Sequence, residues 1–146
     1  MMIINYPAPD FKIKKEQGRD FIFDPLRKKW MVLTPEEWVR QNFVQYLLQV
    51  KNYPSSLIAI EKEIKLGELK KRFDILVYDI QHQPWMMIEC KATAIKLDAK
   101  VLEQVLRYNI SVPVRYLIVT NGEGCFGWIR NEEGLNPVQE IPLHNQ

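Results

Sequence analysis

The segment from Lys70 to Lys91 constrains the fold of this chain more than any other stretch. Its sequence, KKRFDILVYDIQHQPWMMIECK, contains two apolar runs separated by the polar sequence Gln-His-Gln-Pro. Such runs on either side of turn residues predict two strands that pair as a hairpin. In that hairpin Asp74 returns towards the end that carries Glu89. Residues two apart on a strand share a face, so Glu89 and Lys91 point one way and Cys90 points the other.

Two carboxylates and a lysine at one end of an apolar hairpin have two interpretations. Carboxylates about 4 Å apart repel by about 4 kcal/mol at an effective dielectric constant of about 20. A divalent cation relieves that repulsion, and Mg²⁺ commonly uses one or two carboxylates together with water and substrate phosphate. The alternative is a surface ion pair at a strand end, which a Glu-x-Lys pattern by itself would favour.

The chain has 146 residues, of which 47% are hydrophobic and 26% charged, and we expect one globular domain spanning 1–146. A net charge of +2 says little about partners, so a nucleic-acid site would depend on local basic clusters. Cys90 and Cys125 lack metal-type spacing and favour reduced core thiols. The sequence shows no signal-peptide pattern and no apolar stretch of membrane-spanning length, so we expect a cytoplasmic protein without membrane association.

The remaining pattern predicts an α/β fold with a mixed central β-sheet flanked by helices in αβββαβ order and an N-terminal β-hairpin. A helical crossover after the opening hairpin brings in a parallel strand. The expected segments are an N-terminal arm (1–20), a hairpin (21–33), a helix (34–51), a strand (57–66), the opening hairpin (70–91), a second helix (98–109), two strands (114–120 and 125–130) and a loose C-terminal tail (131–146).

The sequence Thr34-Pro35-Glu36-Glu37 predicts the start of the first helix, with Thr34 as cap and Glu37 placed for a capping box. At 100° per residue Glu36 falls on the apolar stripe of this helix and Glu37 lies well off it. Glu36 is therefore a candidate inward-facing acid. Alternatively, both glutamates simply complement the helix dipole.

The order of these residues resembles the PD-(D/E)XK nuclease superfamily. The series runs Asp74, Glu89-Cys90-Lys91 and then Gln104-x-x-x-Tyr108, which is the pattern of its branch with a downstream Gln-x-x-x-Tyr. The blocks TPEEWVRQ, KKRFDILVYD, MMIECKA, EQVLRYN and VTNG are similar to the N-terminal nuclease domain of type I restriction enzyme motor subunits, in particular to its stand-alone version.

The resemblance covers the chain from about Tyr6 to Arg130. Phe73 stands where the superfamily has proline. A chain of 146 residues leaves no room for the motor domains of the restriction subunit, so restriction by this chain alone is not implied.

The resemblance implies a restriction-endonuclease-like core that hydrolyses DNA phosphodiester bonds with Mg²⁺, or with Mn²⁺ in its place. Asp74 and Glu89 would ligate the metal, with the Cys90 backbone carbonyl as a third ligand. Lys91 would orient or help to deprotonate the attacking water. Glu36 would be an additional acid in the site, with Glu37 as the alternative.

Gln104 and Tyr108 would position the motif or contact the DNA backbone. Without the motif upstream, they are ordinary polar residues on the outer side of a helix. Arg40, Arg72 and Arg107 are candidate DNA-binding residues by charge, and solvated positions are the alternative for each.

The implied partners are DNA and either a second copy of the chain or a protein that supplies motor or specificity functions. The competing hypothesis is a nucleic-acid-binding or assembly module that has a nuclease-like fold and little or no catalysis. A purely structural α/β protein ranks last, because it makes the acid, lysine, glutamine and tyrosine series a coincidence.

Overall fold

The computed structural model describes residues 1–144, which form two β-sheets and two α-helices. The elements are β1 (Ile13–Glu16), β2 (Arg19–Asp24), β3 (Lys29–Val32), α1 (Pro35–Gln49), β4 (Ile58–Leu66), β5 (Leu69–Tyr78), β6 (Pro84–Cys90), α2 (Ala99–Asn109), β7 (Tyr116–Thr120), β8 (Cys125–Asn131) and β9 (Gly134–Val138). Strands β4 to β9 form a six-stranded sheet in chain order, and β1 to β3 form a separate antiparallel sheet.

Within the six-stranded sheet β6 and β7 are parallel, and the other neighbouring strands are antiparallel. The parallel pair is joined through α2, because a parallel connection needs a crossover that a tight turn cannot provide. The predicted α/β class with a mixed central sheet is thereby confirmed, and the architecture is compatible with a nuclease-like core.

Both helices begin at side-chain caps. Thr34 Oγ1 accepts the Glu37 N–H at 3.0 Å, as predicted, and Asp98 Oδ1 accepts the Val101 N–H at 2.9 Å. The reciprocal half of the expected capping box does not form, because the Glu37 carboxylate binds Arg27 instead. Neither helix of residues 1–144 combines the length and the apolar character needed to cross a membrane.

Two apolar cores cover the faces of the six-stranded sheet. The α1-side core contains Phe43 and Leu47 of α1 together with Ile88 of β6. The α2-side core contains Met87 of β6, and Leu106 of α2 packs against it. Adjacent residues of β6 thus enter opposite cores, as strand alternation requires.

The two ends of the chain are more ordered than the sequence indicates. Residues 1–20, expected to be an irregular arm, contain β1, and Met2 is buried and bridges to Cys125. The tail expected to be loose spans 131–146; its residues 131–144 contain β9 and the fully buried Ile141, and residues 145–146 lie outside the described part of the chain. Short strands and single anchoring residues leave weak periodic signals, so composition alone made these segments look like loops.

Candidate active site

Strands β5 and β6 separate at the point where the predicted acids stand. Their pairing ends at Ile75 opposite Ile88, and one further step in the same register would place Asp74 opposite Glu89. At that step the Cys90 N–H donates to Asp74 Oδ2 at 2.8 Å. A side chain therefore occupies the place of the next ladder bond, and the two strands open into a fork with one carboxylate on each.

Asp74 also marks a reversal of the sheet faces. Phe73 lies in the α2-side core and Ile75 in the α1-side core, although residues two apart on a regular strand share a face. The facing residue of β4, Glu61, adopts a φ of 51°, in the left-handed region that a non-glycine residue rarely occupies. This local irregularity directs Asp74 towards α1.

Arg40 of α1 lies beside Asp74 as a buried counter-ion. Its side chain is 7% exposed, and Nη2 lies 3.1 Å from both Asp74 Oδ1 and Glu36 Oε1. Its Nη1 donates to Glu37 Oε1 at 2.6 Å. In this structure the guanidinium is directed at carboxylates inside the fold. The predicted phosphate contact of Arg40 stays a prediction, and the observed contact is with the candidate metal ligand.

A second buried arginine extends this network to the three-stranded sheet. Arg27, in the turn between β2 and β3, donates to Asp24, to both carboxylate oxygens of Glu37 and to Glu61. Burial disfavours the Asp24 carboxylate, but hydrogen bonds from Arg27 outweigh burial and lower the pKa of Asp24. Consecutive ion pairs therefore connect Asp24 of the three-stranded sheet to Asp74, through Arg27, Glu37 and Arg40.

Glu36 and Glu37 occupy different environments. The Glu37 side chain is 5% exposed and lies between Arg27 and Arg40, whereas the Glu36 side chain is 46% exposed. Burial raises the pKa of Glu36, the charge of Asp74 raises it further, and Arg40 and Lys91 lower it. The pKa of Glu36 therefore depends on the charges at the fork. The apolar stripe predicted for this helix did not indicate that Glu37 is the more buried of the two glutamates.

On the α2 side, four of the sequence-predicted residues line one cleft of about 130 Å³. They are Glu89, Lys91, Gln104 and Tyr108. The Lys91 Nζ lies 3.2 Å from Glu89 Oε2, and both side chains are about one-third exposed. The four-residue spacing of Gln104 and Tyr108 places both on one side of α2, which explains why they reach the same cleft.

Lys71 is a residue that sequence reasoning missed. It is 6% exposed, donates to the Tyr108 carbonyl and lies 3.5 Å from Asn109 Oδ1, at the C-terminal end of α2. Its Nζ also lies 4.1 Å from the centroid of the Tyr108 ring. Burial lowers the pKa of Lys71, and the charge of Glu89 raises it. The sequence signal for its burial was its spacing of two residues from Phe73 on β5. Lys71 lies within a run of basic residues, which obscured that signal.

Arg72 and Arg107 lie on the surface. Their side chains are 64% and 77% exposed and pair with Glu61 and Glu103, respectively. Such exposed pairs contribute little to stability, so both side chains can exchange their partner for a phosphate at small cost. Their predicted DNA contacts remain predictions.

The side chains at the fork suit a hard cation. Among residues 1–144 no cluster of three or more His, Cys, Asp or Glu side chains is arranged to hold a metal. The carboxylates of Asp74 and Glu89, one on each strand of the fork, are the candidate donors. Each carboxylate oxygen has a second lone pair, so the bonds that Asp74 already accepts leave room for a cation. Burial raises the pKa of Cys90 well above its ordinary value, so its thiol stays protonated. Oxygen donors without a thiolate fit Mg²⁺ or Mn²⁺ better than Zn²⁺.

The family comparison covers both halves of this site. The model of the family described as type I restriction enzyme R protein N terminus matches residues 35–142, and that family is the nuclease domain of type I restriction enzymes. No curated protein matches the chain. The matched segment contains α1, the six-stranded sheet and α2, and therefore every residue of the fork and cleft. The chain belongs to the type I restriction enzyme R protein N-terminal family.

Proposed function

We propose that this chain hydrolyses DNA phosphodiester bonds in a reaction that depends on Mg²⁺. The observation that carries the proposal is the convergence of Glu89, Lys91, Gln104 and Tyr108 on one cleft beside the Asp74 fork. These residues are separated by up to 34 positions in the sequence, from Asp74 to Tyr108. A surface ion pair at a strand end does not account for that convergence.

In the proposed reaction Asp74, Glu89 and the Cys90 carbonyl would hold the metal. When bound, the metal polarises a phosphoryl oxygen and lowers the pKa of a coordinated water. Lys91 would orient or help to deprotonate the attacking water and would offset charge on the phosphate. Glu36 adds a further acid beside Asp74.

Gln104 and Tyr108 contact the DNA backbone at the α2 side of the cleft. The Tyr108 side chain is 70% exposed, which supports contact with a ligand rather than a packing role. Arg72 and Arg107 supply outer phosphate contacts. Family membership supports DNA and partner subunits as the interacting molecules, and we include a second copy of the chain among the candidate partners.

The test is cleavage of labelled single-stranded and double-stranded DNA with Mg²⁺, Mn²⁺ or a chelator. We expect metal-dependent cleavage by the wild type and a loss of about a hundredfold or more in Lys91→Ala, as for a group that assists proton transfer. Asp74→Asn should lose cleavage as well. Lys70→Ala is the matched control, because Lys70 is also a lysine paired with a glutamate, but its side chain is 69% exposed and lies away from the fork.

One observation favours a second candidate function. Arg40 already supplies a cation to Asp74, so the fork is partly neutralised without a metal. A binding or assembly module with a nuclease-like fold would retain such an arrangement. Absence of cleavage with every metal, together with equal DNA binding by wild type, Lys91→Ala and Asp74→Asn, would favour that module over the nuclease.

A further inference from the structure

The three-stranded sheet presents an aromatic and basic face on the side away from its buried residues. Ile22 and Asp24 of β2 are fully buried, so alternation places Phe21 and Phe23 on the opposite face. Lys14 pairs with Phe21, and Trp30 pairs with Phe23, so both share that face. We call this the outer sheet face. Its members are Lys12, Lys14, Arg19, Phe21, Phe23 and Trp30.

Cationic groups lie over the aromatic rings of the outer sheet face. The Lys14 Nζ is 4.5 Å from the Trp30 ring centroid and 6.0 Å from that of Phe21. The Arg19 guanidinium carbon lies 5.9 Å from the Phe21 centroid, and Lys12 Nζ lies 5.9 Å from that of Phe23. Glu16 pairs with Lys14 at 2.9 Å and offsets one positive charge. The surface still offers both π-faces and excess positive charge.

We propose that the outer sheet face binds single-stranded DNA. Phosphates would exchange with Glu16 as partners of the cations, and unpaired bases would stack on the rings that the cations now cover. Aromatic platforms interleaved with basic residues bind single strands because every unpaired base has a π-face, whereas the bases of a duplex are already stacked. A protein partner would need an acidic surface and would gain nothing specific from the stacking geometry.

The chain leads from this face almost directly into α1. Two residues separate the end of β3 at Val32 from the start of α1 at Pro35, and Glu36 lies in the first turn of α1. At its other end the face meets a cleft of about 320 Å³ that Phe11, Lys12 and Phe23 help to line. The outer sheet face therefore lies close in sequence to α1, the helix that carries Glu36. The whole face precedes residue 35, outside the segment that the family model matches.

The test is fluorescence anisotropy with a labelled oligodeoxythymidine, in chelator so that no metal-dependent cleavage or metal-dependent binding contributes. We expect Trp30→Ala to weaken binding by about fivefold to a hundredfold, the range measured for loss of base stacking. Lys14→Ala should weaken binding and reduce the slope of its salt dependence by about one, as for loss of a phosphate contact. Lys15→Ala is the matched control. Lys15 is the next residue of β1 and carries the same charge on the opposite face, with a side chain 69% exposed.

A duplex of the same length and a uridine oligomer serve as the competing ligands, and circular dichroism checks that each variant folds. Lys14→Ala keeps the proposal testable if Trp30→Ala is unfolded. Equal losses in Lys14→Ala and Lys15→Ala would indicate diffuse charge and overturn the proposal, as would duplex binding as tight as single-strand binding. Tighter binding of the RNA would overturn the assignment to DNA.

This inference does not depend on catalysis. A chain that binds single strands through Lys14 but cleaves nothing would retain the outer sheet face and lose the proposed nuclease. If the chain cleaves DNA but Lys14→Ala, Trp30→Ala and Lys15→Ala all bind single strands equally well, the proposed nuclease is retained and the proposed role of the outer sheet face is lost.

Discussion

The Nη2 atom of Arg40 lies 3.1 Å from the Oδ1 atom of Asp74, and the Arg40 side chain is 7% exposed. A carboxylate held in this way has a fixed orientation before any metal or DNA arrives. We infer that Arg40 is a positioning residue for Asp74. Its partners Glu37 and Glu61 also bind Arg27, so the position of Arg40 is itself determined by two further contacts.

The first prediction concerns the substitution Arg40→Met. It leaves Glu37 buried with one arginine fewer and Asp74 without its counter-ion, and breaking a buried pair in this way costs about 3 kcal/mol or more in the free energy of unfolding. Urea denaturation measures this. Arg72→Met is the control, because the Arg72 side chain is 64% exposed and should cost about 1 kcal/mol or less. Equal losses in the two variants would contradict a stabilising contribution from the buried Arg40 contacts.

The second prediction concerns pH. Burial, followed by the charge of Asp74, raises the pKa of Glu36 above its ordinary value of 4.5. The folded protein therefore binds this proton more tightly than the unfolded chain. The resulting stability is fully present below pH 4.5 and is lost as the pH rises through the raised pKa. Glu36→Gln should lack this loss.

The pH experiment compares the free energies of unfolding of wild type and Glu36→Gln across the acidic range. The difference between them should shift in favour of the variant as pH rises. Glu103→Gln is the control, since Glu103 is also paired with an arginine four residues on but is 69% exposed. A flat difference for Glu36→Gln would show that the glutamate does not sense Asp74.

The third prediction concerns the attachment of α2. Lys71→Met removes the donor to the Tyr108 carbonyl and leaves that carbonyl without its charged partner, at a cost of about 1–3 kcal/mol. Hydrogen exchange of residues 99–109 should become faster. Lys70→Met, one residue earlier and 69% exposed, should leave that exchange unchanged. Equal protection of α2 in both variants would exclude Lys71 as its anchor.

The fourth prediction concerns the two free cysteines. Both are buried, and burial raises the pKa of Cys125 to about 12 and that of Cys90 well above its ordinary value. Neither thiol should react with a disulfide reagent at mildly alkaline pH while the protein is folded, and both should react in denaturant. Rapid reaction of either thiol in the native protein would show that its segment opens locally.

The elements of the fold were predictable where a local pattern was strong. The start of α1 at Thr34, the α2 segment and the hairpin around residues 79–83 follow from caps, apolar stripes and turn residues. The convergence of Gln104 and Tyr108 with Glu89 was suggested by the resemblance, and the structure brings them to one cleft. Their chemical roles remain proposals.

Other features depend on contacts between distant segments and had no local signal. The reversal of faces at Asp74 coincides with the left-handed conformation of Glu61, thirteen residues earlier on the neighbouring strand. The burial of Arg40 and Glu37 depends on Arg27, which reaches them from the turn of another sheet. A charge pattern in one segment cannot indicate which charged residue of a distant segment will pair with it and bury it.

The hydrogen bond from the Cys90 N–H to Asp74 affects which residue of a descendant sequence indicates that it is still an active enzyme. A lineage that abandoned cleavage would still need a carboxylate at position 74 to close the end of the strand pair. The Lys91 ammonium pairs with Glu89 and supports no backbone group within residues 1–144. After a loss of catalysis, we expect Lys91 to be substituted before Asp74. Retention of Lys91 is therefore a better marker of an active enzyme than retention of Asp74.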